Sequence, residues 1–167
     1  MADYEDLTGM QLTDEELAGL LGGGGECVFN WTNKEGYPVG VVVAYVWRHG
    51  KFWTTCAAQR ARVPALGSRP QSAIVVNNGG LTASFKGDSV VHRPGDDGWD
   101  ELSMWFYGAL SGTEANPDDD GARNFQKFLD SPQRVIIETD TSLVVGFSVA
   151  KFRAFTAEAI AQGHGAD

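Results

Sequence analysis

The sequence predicts a mainly β (α+β) chain: an antiparallel barrel, closed or nearly closed, with a few helices at its periphery. Three observations carry that expectation. Between residues 26 and 91, five runs rich in β-branched and aromatic residues follow one another, joined by short turns. One small helical link, after Thr55, is the only interruption. The turn Asn77-Asn78-Gly79-Gly80 contains Asn-Gly, a strong hairpin signal. Consecutive strands of this kind manage their edges by closing on themselves.

The elements read in order as follows. Thr13-Asp14-Glu15-Glu16 has the form of a capping box, and Leu12, Leu17, Leu20 and Leu21 give the helix behind it one apolar face. Gly22–Gly25 ends that helix as a hinge. It lacks the preceding strand and the lysine of a phosphate-cradling loop. Residues 26–32 form a first strand, and Asn33–Gly36 a tight turn. Tyr37–Trp47 is a long second strand, apolar on both faces. One face can fill a barrel; the other calls for a second apolar surface, such as a subunit or a flat ring system. A third strand starts at Lys51, a fourth spans Gln71–Asn77 and a fifth Leu81–Val91. Helices are expected at Asp100–Leu110 and Ala122–Leu129, the second behind an acidic loop that caps it. Two more strands, Arg134–Glu138 and Leu143–Ala150, precede a ragged tail. The chain is thus expected to be one domain: residues 1–25 a helix and hinge, 26–155 the barrel with inserted helices, and 156–167 the tail.

Composition narrows the function. A formal charge of −9 argues against nucleic acid and against an anionic membrane surface as partners. No apolar run approaches the roughly 20 residues of a spanning helix, and the acidic start MADYEDLTG has no signal-peptide core, which points to the cytoplasm. Cys27 and Cys56 show no metal spacing and read as buried apolar residues.

The local charge runs the other way from the total. From Gly36 to Gly87 there is no Asp or Glu, while Arg48, Lys51, Arg60, Arg62, Arg69 and Lys86 all fall there. Within that stretch the third strand ends in Thr54-Thr55, and a turn or short helix carrying Arg60 and Arg62 follows at once. Hydroxyls, backbone N–H groups and arginines at one strand end make a phosphate site. A buried sheet core with arginines on its rim would leave the same pattern.

Catalytic side-chain constellations are absent. There is no GxSxG and no HExxH, and His49, His92 and His164 pair with no nucleophile at a recognised spacing. Such a chain does its chemistry through a bound cofactor, or does none.

The order of elements, with the segment from Gly36 to Val76 and the strands FKGDSVV, RVIIE and LVVGFSVAKF, resembles the FMN-binding split-barrel family related to pyridoxamine 5′-phosphate oxidase. The shared features are Gly36-Tyr37-Pro38, a third strand ending in Thr-Thr, a basic helix start, and Leu66–Pro70 before an apolar strand. The resemblance implies a homodimer binding FMN, or the deazaflavin coenzyme F-420, at its interface. It implies Val41, Val42 and Val43 behind the ring system, with Trp53 and Thr54 beside it. Thr55, Arg60 and Arg62 would lie on the phosphate, and Thr82 on the ring or ribityl chain. The oxidase's Arg-x-Val-Leu-Leu-Lys pattern is replaced by Val39-Gly40-Val41-Val42-Val43-Ala44, and its C-terminal substrate signature is missing, so the resemblance does not extend to vitamin B6 oxidation. It implies an oxidoreductase acting on a small molecule. A non-catalytic flavin or haem carrier is the alternative, with His49 or His92 as haem ligand. For the F-420 tail, Arg48, Lys51, Arg69 and Lys86 would have to form one groove.

Overall fold

The computed structural model describes residues 6–162. Six strands close into one antiparallel barrel in the order β1-β2-β3-β6-β5-β4, with β4 pairing back onto β1. They are β1 (Gly25–Thr32), β2 (Pro38–Arg48), β3 (Lys51–Ala57), β4 (Gln71–Asn78), β5 (Leu81–His92) and β6 (Arg134–Ser148). Alternate residues fill the interior. Phe29, Phe52, Ile74, Val76, Val135 and Ile137 are fully buried there, and Phe52 packs edge-on against Trp47 and Phe85 at 4.8 and 5.0 Å.

Each mouth of the barrel is stopped by a helix. Helix α1 (Asp14–Gly22) starts with the expected capping box. Thr13 Oγ1 accepts from the Glu16 N–H at 3.1 Å, and Glu16 Oε2 accepts from the Thr13 N–H at 2.7 Å. It buries Leu20 and Leu21 over one mouth, where the Tyr45 hydroxyl reaches their carbonyls at 3.2 and 3.3 Å. Gly24 and Gly25, at φ +62° and +102°, then swing the chain into β1. At the opposite mouth, α2 (Arg62–Ser68) presses Val63, Ala65 and Leu66 into the same core.

A second core lies outside the barrel wall. Helices α3 (Trp99–Ser111) and α4 (Asp120–Leu129) lay Trp99, Phe106, Tyr107 and Leu129 over Trp53 and Ile136, which point outward from β3 and β6. Asp119 caps α4, its Oδ1 accepting from Ala122 N at 2.6 Å.

Two expectations are corrected. The C-terminal strands are one continuous 15-residue strand, β6, which pairs with β3 from Arg134 to Asp140 and with β5 from Ile136 to Ser148. Asp140-Thr141-Ser142 looks like a turn but stays extended. Gly87 opposite makes this possible, since a Cβ there would collide with the Asp140 carbonyl. The ladder absorbs the extra residue Val144 as a bulge, with Leu143 opposite Phe85 and Val145 opposite Ser84. The tail expected from residue 156 is instead part of α5 (Val149–Ala161), capped by Ser148 and tied to α1 by the Lys151–Glu16 ion pair at 2.6 Å. The end of the tail, with His164, lies outside the described residues. Among the described residues no helix is long and apolar enough to cross a membrane.

Candidate functional site

The basic end of the barrel lies where β3 runs into α2. The pleat turns Thr55 outward and Cys56 inward, and the Thr55 hydroxyl donates to the Val135 carbonyl at 2.7 Å. Ala58 N–H bonds the Gln133 carbonyl at 2.7 Å, which pins the following turn to the lead-in of β6. Arg60 stands exposed in that turn. Arg62 opens α2 and is only 9% exposed. The pairing of Ala57 with Arg134 brings a third guanidinium to the same end.

The electrostatics reflect this convergence. Burial pushes the Cys56 thiol up, while Arg62, Arg134 and Arg60 all pull it down without cancelling the burial. Burial also pushes the Tyr107 hydroxyl up to about 12, against the pull of Arg134, with Asp130 adding to the rise and the nearby Thr55 hydroxyl opposing it. That hydroxyl and Arg134 Nε are buried polar atoms with no hydrogen-bond partner. Among the described residues no carboxylate lies within 4 Å of Arg60, Arg62 or Arg134. A buried guanidinium with no acid beside it is poised for an external anion.

Not all residues singled out from sequence gather here. Thr55, Arg60 and Arg62 do. Thr54 faces the barrel interior at 2% exposure, so its hydroxyl is closed to a ligand outside. Val41 and Val43 also pack on the barrel core, leaving Val42, 62% exposed, as the outward member of the three. Trp53 points outward but is covered. Trp105 lies edge-on to it at 5.1 Å, His92 stacks on it at 6.1 Å, and its indole N–H donates to the Arg48 carbonyl at 3.0 Å. Thr82 sits at the opposite mouth, at the start of β5, where its hydroxyl donates to Asn77 Oδ1 at 3.3 Å. The four cations considered for a tail groove do not line one: Arg48 is held by Glu114 at 2.7 Å and Lys51 by Glu138, Lys86 is exposed on β5, and Arg69 lies against β1. His92 is engaged by Glu138 at 2.7 Å, and His49 stands in an exposed turn edge-on to Trp105.

The chain matches no family model and no curated protein. Its backbone nevertheless superposes on solved structures. A conserved hypothetical protein from Mycobacterium tuberculosis aligns over 87% of this chain and 90% of its own, with a TM-score of 0.67 at 14% identity. An F-420 reductase aligns over 75% of this chain and 92% of its own, at TM-score 0.53 and 16% identity. A pyridoxamine 5′-phosphate oxidase-related, FMN-binding protein from Nostoc punctiforme aligns over 69% of each chain, at TM-score 0.50 and 11% identity. The fold is a split barrel. At these identities the likeness concerns the fold.

Two features of this split barrel escape sequence reading. Arg134 and Tyr107 reach the basic end through the β3–β6 register and the packing of α3, neither of which has a local signal. Between α3 and α4 there is also a cavity of about 500 Å³, walled by Trp99, Met104 and Tyr107 and rimmed by Arg123 and Lys127.

Proposed function

We propose that this split barrel is an oxidoreductase that binds a phosphate-bearing flavin-class cofactor between two copies of the chain and passes hydride to or from a small organic molecule. FMN is the first assignment and coenzyme F-420 the alternative; both carry the phosphate group that the basic end fits. When bound, either would supply hydride transfer at its ring system.

The observation that carries the reading is Arg62: buried at a strand-to-helix junction, beside Arg60 and Arg134, with no carboxylate of the protein near it. Guanidinium groups bind phosphate through charge-assisted, often paired hydrogen bonds. Arg62 and Arg60 would hold the phosphate, with Thr55 at its margin. Tyr107 Oη–H and Arg134 Nε–H are donors still needing an acceptor at this end. Outward-facing Val42 and Val28, both exposed, offer the apolar surface that a ring or a second copy would cover. The likeness in fold to an F-420 reductase and to an FMN-binding protein is consistent with this choice of cofactor class.

The test is a fluorescence titration of the purified chain with FMN and with F-420, repeated on Arg62→Ala. Saturable binding of one of them, weakened in the variant, is the expected result. Binding of neither, or equal affinity in the variant, removes the phosphate site. Sedimentation with and without cofactor tests the two-copy arrangement.

A further inference from the structure

We infer a second ligand site on the outer flank of α2, built for a small, flat organic carboxylate. A cavity of about 480 Å³ lies between the β1–β2 turn and α2. Trp31, Pro64 and Ala65 supply apolar walls, and Lys34, Ser68 and Arg69 a polar rim. A mostly apolar hollow of that size with a few convergent polar groups is the usual form of a small-molecule site.

The polar rim is fixed in advance. Arg69 Nε donates to the Thr32 carbonyl at 3.2 Å, which anchors the guanidinium and leaves its terminal nitrogens for another acceptor. The turn opposite is braced by Asn33, whose Oδ1 accepts from the Glu35 and Tyr37 N–H groups, each at 2.9 Å. Asn33 Nδ2 also donates to Glu35 Oε2 at 3.3 Å, so the one acid of the lining is tethered to its own turn. Among the described residues, neither Lys34 nor Arg69 has a carboxylate within 4 Å.

Two cations against one acid leave a single net positive charge, which matches a monoanion. A carboxylate can bridge the terminal nitrogens of Arg69 in paired geometry, with Lys34 as the second charge. A ring carried on that carboxylate would lie over Pro64 and the small part of Trp31, 7% exposed, that reaches the cavity. Inorganic phosphate would leave the apolar wall bare, and a neutral aromatic would leave both cations unanswered. The site is separate from the phosphate grip: Ala61 reaches this cavity, but neighbouring Arg60 and Arg62 do not line it.

The experiment is an NMR titration of the ¹⁵N-labelled full chain with 2-naphthoate, 2-naphthylmethanol and inorganic phosphate. Saturable shifts of the Trp31 indole and the Ala65 and Ser68 amides are expected with 2-naphthoate. The alcohol and phosphate should bind about tenfold or more weaker, as for a lost charge-assisted contact. Arg69→Met should cost 2-naphthoate about tenfold and the alcohol nothing. Lys34→Met, on an exposed turn, should act the same way more weakly and serves if Arg69→Met does not fold. Absence of saturation at Trp31, or equal binding of acid and alcohol, or of acid and phosphate, overturns the site. FMN and F-420 affinities are expected to stay unchanged in both variants. Failure of this site therefore leaves the cofactor reading standing, and failure of the cofactor reading in Arg62→Ala leaves this site standing.

Discussion

At α1 and along the outer flank of the barrel, several of the protein's cations are paired with its own acids. Lys151 meets Glu16 at 2.6 Å, Arg48 meets Glu114 at 2.7 Å, and Lys51 shares Glu138 with His92. At the mouth closed by α2, Arg60, Arg62, Arg69 and Arg134 have no such partner among the described residues. This happens in a chain with 22 acids to 13 lysines and arginines, where acids are not scarce. The difference traces to sequence: the stretch between Gly36 and Gly87 that supplies three of those arginines contains no acid to answer them. The paired regions use charge to hold the fold together. The α2 mouth keeps charge available, at some expense of stability, as binding sites commonly do.

Substitutions in the two regions should therefore have opposite signatures. The largest effect is expected from Arg62→Ala. Cofactor affinity should fall by about 1.5–3 kcal/mol, the worth of a charge-assisted hydrogen bond. The free protein should melt no earlier than the parent in this respect, because a buried charge without a partner has been removed. Glu138→Gln should do the reverse. It strands Lys51, so stability should drop by about 1–2 kcal/mol, while cofactor affinity holds. Thermal melts and titrations on the same two variants decide the matter. If both lose stability alike, the comparison fails.

Acidity should separate the two regions as well. Burial pushes the Glu138 carboxyl up, but hydrogen bonds from Lys51 and His92 outweigh it and leave the group below its usual 4.5. A carboxylate depressed in the folded state contributes stability above its unfolded pKa and loses it as pH falls through the folded value. The Glu138 contribution should therefore be whole above pH 4.5 and disappear progressively below it, and Glu138→Gln should flatten that part of the acid melt. Among the described residues, Arg60, Arg62 and Arg134 have no carboxylate within 4 Å to protonate. The hold of this end on the phosphate monoester of FMN should weaken earlier, as the dianion protonates near a pKa of about 6. FMN release that tracks unfolding, rather than preceding it, would contradict the FMN assignment.

Much of this was legible in the sequence because its causes are local. The capping box at Thr13, the Asn-Gly hairpin and the first five strands each depend on residues within a few positions of one another. Arg60 and Arg62 were legible for the same reason, following directly on the strand that ends in Thr55. The rest depends on facts without a local trace. Which of Val41, Val42 and Val43 points outward is a matter of pleat parity, and an all-apolar run conceals it. Trp53 is covered by a helix that begins more than forty residues later. The unity of β6 rests on Gly87 across the ladder, because Asp140-Thr141-Ser142 alone has the composition of a turn.

The finest test of the comparison is Tyr107→Phe. The Tyr107 side chain is 3% exposed, and its hydroxyl has lost water without gaining a protein partner. Such a group is a net burden on the fold, and replacing it by a ring of the same shape is neutral or better. The free variant should gain about 0.5–1 kcal/mol in stability. In the cofactor-bound protein the hydroxyl would find its acceptor, and the same substitution would remove a favourable bond. The rise in melting temperature on adding cofactor should therefore be smaller in Tyr107→Phe than in the parent. An unchanged rise would mean that the hydroxyl never meets the ligand, and that the anion site stops at Arg60, Arg62 and Arg134. A smaller rise would extend it to α3, making the outer helix pair part of the binding end of the barrel as well as a cover for Trp53.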